Sequence, residues 1–340
     1  MAEGHLIGGM NLADAEEVFR TVAEYGGEAF IRMPDGETGP RKGWIGHQVP
    51  RLMANPDLEP GPAPPNRYFQ APGFKLRDGA DPGEVKFDLG FGTTTVESYL
   101  TFRRLKEEGV IGAEIQFQIA IPTQVAAFGQ FVSLEDQPAL VDSWERRLAQ
   151  DVTEIVATVP GEELAIQWDV AAEFAILEGV TDSIYDATGL LDQIARMAAM
   201  VPANVTLGFH LCYGDFPKGP EATGEHFVQP ADAANLAMVA NGIVDRVDHE
   251  IAFLQLPVPI DRDDDEYFAP LEDLNLAPET KLYLGLLHHQ DLREGAERRI
   301  AAAANHLSGF GVACECGMAN KPRSSMEPLI SLHGEIETPA

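Results

Sequence analysis

The chain has 340 residues, 45% of them hydrophobic and 23% charged, a composition that fits one or two globular domains. Its 54 acidic residues against 24 basic ones give a net charge of −30, which repels phosphate backbones and anionic lipid and argues against nucleic-acid and membrane partners. No run reaches the roughly 18 uncharged apolar residues of a membrane helix. The N-terminus lacks the basic region and cleavage site of a secretory signal, and the three cysteines are too few and odd in number for a disulfide framework. A cytoplasmic protein is the expectation.

In chain order, short apolar runs alternate with longer amphipathic ones. The first strand is expected at His5–Gly9, and a helix over Leu12–Tyr25 follows, with Asn11 as N-cap and Gly26 at its end. A second strand covers Ala29–Met33. Residues 45–95 then break the rhythm with a Pro- and Gly-rich excursion, which reads as a lid, an active-site wall or an oligomer contact. Val85–Phe91 is an extra strand candidate within it. Strands at Ala113–Ile121, Leu164–Asp169, Val205–Leu211, Ile251–Leu256, Leu282–Leu287 and Gly311–Cys316 complete a set of eight. Helices at Ser143–Thr158, Ser183–Met200, Ala231–Asp245 and Leu292–Leu307 separate them. Asp261–Glu266 reads as a solvated acidic loop, and the chain from about Leu332 as a loosely held tail.

Eight strands alternating with helices predict a (β/α)₈ TIM barrel, an α/β fold, as one domain over residues 1–335 with the long insertion after strand two. The absence of a phosphate-binding glycine fingerprint weighs against a doubly wound sheet. In such a barrel the C-terminal strand ends converge on the active site. Those ends carry Asp35 and Glu37, Gln124, Asp169 and Glu173, His210 and Cys212, Gln255, His288 and His289, and finally Cys314 and Cys316.

His210 and Cys212 are two residues apart, so their side chains point to the same side of an extended chain. Strands five and eight lie three steps apart around the ring, which lets Cys316 complete a three-ligand set. Cys314 alternates with Cys316 on the same strand and is the other choice, but Gly317 suits a strand-end turn beside Cys316. One nitrogen and two sulfur donors suit zinc, although cobalt or iron could take the same ligands, and a catalytic zinc keeps a position open. The chemistry this supplies is activation of a thiol, whose free pKa of about 8.5 falls on coordination. The plainer reading of any one buried cysteine is a small hydrophobe. Trp44, Trp168 and Phe69 read as packing residues.

His210-Leu-Cys-Tyr-Gly followed by Glu315-Cys316-Gly-Met resembles the zinc motif of the catalytic barrel of cobalamin-independent methionine synthase. It is similar also to that of corrinoid-dependent enzymes acting on coenzyme M, within the superfamily that holds uroporphyrinogen decarboxylase. Asp35-Gly-Glu37 with Arg41, Ile166-Gln-Trp-Asp169 and Leu6-Ile-Gly-Gly resemble further segments of the synthase. The resemblance implies zinc on His210, Cys212 and Cys316, and methyl or alkyl transfer to a thiol acceptor from a folate, methyl-corrinoid or other donor. It implies that Glu37 and Asp169 meet the ammonium group of an amino-acid thiol. The family's fourth ligand, a glutamate, is replaced by Gln255, which leaves Gln255, a water or nothing as the fourth ligand here; its Glu-Pro is replaced by Val170-Ala171 and its first-motif serine by Gly9, so a different donor or thiol is expected.

Around this set, Arg32 and Arg41 are candidates for a substrate carboxylate or phosphate, with Asp35 beside them; the other reading of Arg32, which lies inside strand two, is a residue paired in the barrel interior. His288 or His289 is the candidate acid for the leaving group. Tyr213 and Asp215 are candidates to orient His210. Two other functions remain open at this level: a metal-free decarboxylase or lyase built on Asp35, Arg32 and Arg41, and a subunit that docks a methyl-corrinoid protein. The chain could also assemble as a homo-oligomer.

Overall fold

The computed structural model describes residues 3–64, 72–215, 226–227 and 229–339; Phe69 lies outside them. The chain runs β1 (Gly4–His5), α1 (Ala15–Tyr25), β2 (Arg32–Pro34), α2 (Gln48–Ala54), β3 (Leu58–Gly61), β4 (Gly73–Leu76), α3 (Phe91–Glu107) and β5 (Gln116–Pro122). It continues through α4 (Gln124–Phe131), α5 (Gln137–Val156), β6 (Leu164–Val170), α6 (Ala172–Leu177), α7 (Ala187–Ala198), β7 (Thr206–Leu211) and α8 (Ala234–Val244). The last elements are β8 (Ile251–Pro257), α9 (Asp265–Phe268), β9 (Lys281–Leu287), α10 (Leu292–Ala303), β10 (Gly311–Cys314) and α11 (Met326–Glu335).

Eight of the strands form one parallel sheet in the order β1-β10-β9-β8-β7-β6-β5-β2. The seam between β1 and β2 carries no ladder but is bridged by Gly4 N–H to Ala29 O (2.9 Å) and Met10 N–H to Gly36 O (2.8 Å). The result is a nearly closed (β/α)₈ barrel with a long, mostly helical insertion after β2. Among the described residues, no helix is long and apolar enough to cross a membrane.

Local chemistry explains where the elements differ from the sequence expectation. Asp14, not Asn11, caps α1, accepting from Glu17 N–H at 2.9 Å, while the Asn11 amide is drawn to Lys321 O at 2.8 Å. β1 stops at His5 because the carbonyls of Leu6 and Ile7 accept from the buried amides of Gln118 and Gln167 instead of a neighbouring strand. Residues 85–91 alternate buried Val85, Phe87 and Leu89 with Lys86 and Asp88, which mimics a strand. They pair with none, because the carbonyls of Lys86 and Leu89 accept from the side-chain amides of Asn55 and Gln48. The true hairpin of the insertion, β3–β4, lies in its Pro-rich part.

α5 begins six residues before Ser143, with Pro138 in its first turn, where a missing N–H costs nothing. Asp186 caps α7 through Gly189 N–H at 2.8 Å, so that helix starts after Ser183. Within the acidic run, Asp264 caps the short α9, which makes 261–266 a capped turn as much as a solvated loop. The C-terminal segment is not loose. Leu332 and His333 are buried in α11, and His333 packs on Phe30 at 5.2 Å between ring centroids.

Parallel register sets the interior. Asp169 of β6 pairs with His210 of β7, and His210 with Gln255 of β8, so three polar side chains share one level near the C-terminal face. Arg32 pairs with Gln116 at the opposite, N-terminal end of the sheet.

Candidate metal centre

His210 lies at the end of β7, buried, and its two ring nitrogens have different neighbours. Gln255 decides which one carries the proton. Its amide nitrogen donates to the carbonyls of Leu256 (3.1 Å), Cys314 (3.2 Å) and Glu315 (3.4 Å), which forces its oxygen toward His210. That oxygen therefore accepts from His210 Nδ1–H. The lone pair is left on Nε2, which is buried and, among the described residues, has no hydrogen-bond partner of normal geometry.

Cys212 and Cys316 stand beside it, with their sulfurs 3.3 Å apart and all three ligand atoms within 4.8 Å of one another. Gly214 N–H donates to Cys212 Sγ at 3.3 Å. β10 ends at Cys314, so Cys316 sits in the bend that follows and reaches the cavity, whereas Cys314 turns into the apolar core. Burial pushes the Cys314 thiol up to about 12. The orphaned imidazole nitrogen and two adjacent thiols fit a divalent metal with borderline-soft preferences. His210, Cys212 and Cys316 are thus a candidate metal site.

The three residues lie in the wall of a cavity of about 300 Å³, also lined by Gly8, Gly9, Glu37, Trp44, Asp169 and Asp215. Glu37 enters from a tight turn in which Gly36 (φ +78°) and Glu37 (φ +47°) are both left-handed. Asp35 stabilises this turn by accepting from Glu37 N–H at 3.0 Å, and Arg41 pairs with Asp35. Burial, reinforced by the charge of Asp169, raises the Glu37 carboxyl to about 8. Burial also raises Asp169, opposed by His210 and by hydrogen bonds from Gln167 and Trp44. Gln167 donates to Asp169 at 2.9 Å and to Ile7 O at 2.9 Å, while its oxygen faces His5 Nε2 at 2.9 Å. Without a cation between them, the two acids hold at least one proton at neutral pH.

Several sequence candidates lie elsewhere. Arg32 is buried at the N-terminal end of the barrel, hydrogen-bonded to the Tyr283 hydroxyl at 2.9 Å and stacked 4.2 Å above the Phe253 ring. Arg41 and Asp35 neutralise each other behind Glu37 rather than lining the cavity. His288 donates from Nε2 to Val258 O at 2.9 Å, burial lowers it to about 4, and neither it nor His289 lines the cavity. Asp215 pairs with Lys321, and Tyr213 neighbours Tyr267, so Gln255 rather than either one orients His210. Trp168 is a buried packing residue, but Trp44, from the insertion, is part of the cavity wall with a strained backbone (φ +49°, ψ −119°). Trp44 was read only as packing, and Gln167, His226 and Lys321 were given no role from the sequence. Lys321, a basic residue five positions after Cys316 in an acidic chain, offered the one visible signal.

Glu173 is buried beside the site, accepting from Thr123 Oγ1 at 2.6 Å with its other oxygen unpartnered among the described residues, and burial raises it to about 7. Its folded pKa exceeds its unfolded value, so it stabilises relative to an ionised reference only while protonated, and stability falls as pH rises from about 4.5 toward 7. Glu173→Gln is therefore expected to be more stable than wild type at pH 8 by about 2–3 kcal/mol, with the gain shrinking toward pH 5. Denaturant titrations at both pH values check this; an equal difference at pH 5 and pH 8 contradicts it.

No family model matches the chain, and no curated protein matches it. Solved structures do. A protein described as a vitamin-B12-independent methionine synthase from Listeria monocytogenes superposes with a TM-score of 0.56 at 16% identity, over 95% of this chain and 87% of that one. A methyltransferase from Methanosarcina mazei gives 0.52 at 11% identity, over 94% and 84%. At such identities the likeness speaks for the fold. The chain is thus a (β/α)₈ barrel similar in fold to these two solved structures, and among its described residues it carries a candidate His/Cys/Cys metal site.

Proposed function

We propose that this protein is a zinc-dependent methyl- or alkyltransferase whose acceptor is a thiol bearing an ammonium group. The observation that carries this is the pairing, in one cavity, of an unpartnered His210 Nε2 and two thiols with the buried acids Glu37 and Asp169. His210, Cys212 and Cys316 would hold the zinc ion, which when bound would lower the pKa of a thiol presented to it and favour a nucleophilic sulfur at neutral pH.

The chain's own residues do the rest. Gln255 keeps Nδ1 protonated and Nε2 free, which makes it a positioning residue for His210 in place of the fourth ligand found in the resembling family. Glu37 and Asp169 bind the acceptor's ammonium, a role favoured by the burial of the two carboxyls together in the cavity wall. Among the described residues, Lys42 is the one lysine or arginine in the cavity lining, exposed at its edge and tied to Asn11 at 2.6 Å. Trp44, donating to Asp169, walls the cavity on the insertion side. In the transfer, the acceptor sulfur forms a bond to the alkyl carbon while the donor's leaving group departs with the electron pair.

A metal-free decarboxylase reading loses its cations, since Arg32 faces the barrel floor and Arg41 is bound to Asp35. The test is transfer to an aminothiol before and after chelation. Stripped enzyme should lose transfer and regain it with one equivalent of zinc; undiminished transfer without metal would sink the proposal.

Gln255→Leu should lower zinc affinity by about 10–100-fold while leaving the fold intact, because the imidazole then loses the partner that fixes its tautomer. Competition with a chromophoric chelator measures this, and unchanged affinity would show that Gln255 does not position His210.

A further inference from the structure

The loops that carry Cys212 and Cys316 meet through more than their thiols. Three residues past Cys212, Asp215 pairs with Lys321 Nζ at 3.1 Å, and the Asp215 carbonyl accepts from Asn320 Nδ2 at 2.8 Å. Farther along the chain, His226 Nε2 lies 2.7 Å from Oε1 of Glu315, the residue before Cys316. The four charged side chains are only 9–14% exposed.

Each cation is held from its other side. Gln229 Nε2 donates to Asp261 Oδ1 at 3.2 Å, so its oxygen faces His226 Nδ1 at 2.8 Å and accepts from it. The Lys321 backbone is anchored by its N–H to Met318 O (3.1 Å) and by its carbonyl, which accepts from the Asn11 amide (2.8 Å). None of these interactions is needed to close the barrel ladder, which has already ended at Leu211 and Cys314. What they fix is the relation between the two loops beyond it.

We propose that Lys321 and His226 are positioning residues of the metal centre: by pairing with Asp215 and Glu315 they pin the loop after β7 to the loop after β10 and set the separation of Cys212 and Cys316. The clamp rests on the metal reading of the cavity. It explains why two thiols on strands three apart in the sheet stand at 3.3 Å with no ladder between their segments.

The experiment measures zinc affinity of the full chain by chelator competition, and the visible bands of the cobalt-substituted protein. Wild type is compared with Lys321→Gln, Lys321→Arg, His226→Gln and the double variant Asp215→Asn/Lys321→Gln. The double variant leaves no unpaired buried charge and so guards against simple misfolding, which circular dichroism monitors. Lys321→Gln, His226→Gln and the double variant should each bind zinc about 10–100-fold more weakly with altered cobalt bands, and Lys321→Arg should recover most of the loss. Affinity and bands like wild type in the folded double variant and in His226→Gln overturn the clamp alone. A wild type that binds no zinc overturns the metal reading on which it rests.

Discussion

Replacing Cys212 or Cys316 by serine should weaken zinc binding by about 10²–10³-fold or more and depress alkyl transfer at least as far. Structural zinc sites in small domains bind with about 10–16 kcal/mol, so each of the protein ligands is worth roughly 3–4 kcal/mol. A serine hydroxyl is a harder, far less acidic donor than a thiol and does not replace that share. The two substitutions should resemble each other, since the sulfurs are neighbours on one site. Cys314→Ala supplies the internal control. Its thiol belongs to the apolar core, so the variant should lose some stability yet keep zinc within about twofold of wild type. Metal loss in Cys314→Ala with retention in Cys316→Ser would assign the ligand to the wrong cysteine here.

The second large effect concerns stability. Arg299 is wholly buried in α10, makes two bonds to Asp291 at 2.8 and 2.9 Å, and donates to the carbonyls of Leu286 (2.9 Å) and Ile260 (2.8 Å). It thereby ties the C-terminal end of β9 to the loop after β8. Arg299→Met keeps the apolar stem but leaves two carbonyls without their donor and Asp291, 22% exposed, with Arg298 at 3.5 Å as its remaining cation, so it should destabilise the barrel by about 2–4 kcal/mol. Arg299→Met/Asp291→Leu should recover part of that loss, because the carboxylate that Arg299 held is then gone. Denaturant midpoints decide it; a single variant within 1 kcal/mol of wild type would show that the pair contributes little beyond its own desolvation.

Much of this molecule could be read before its fold was known, and for identifiable reasons. Parallel strands buried on both faces leave near-continuous apolar runs, which is why all eight barrel strands were visible, from the Leu6 region to Val312. His210 and Cys212 were legible because alternation along a strand is rigid, and Cys316 because cysteine is otherwise rare in the chain. What escaped depends on side chains competing with the backbone ladder. Asn55, Gln48, Gln118 and Gln167 each cap carbonyls that a strand would have used, so the extra strand at 85–91 does not form and β1 is shorter than its apolar run.

α3 was hidden by Thr93–Val96, a β-branched run that weakens the helical signal even though Phe91, Tyr99, Phe102 and Leu105 bury one face. Arg32 had two readings, a substrate cation or a residue paired in the barrel interior, and the structure shows the second. Strand content alone gives no height along the axis, and only the pairing with Gln116 supplies it. Gln255 and Lys321 act through other residues. Their roles follow from hydrogen-bond direction and loop contacts, which no spacing in the sequence encodes.

The most direct test of the central claim is metal content by mass spectrometry on untagged, full-length protein, wild type beside Cys212→Ser and Cys316→Ser. The account predicts about one zinc per chain in the wild type and almost none in either variant. A wild type that carries no zinc and takes up none from a buffered solution, or variants that keep it, would contradict the assignment of His210, Cys212 and Cys316 as a metal centre.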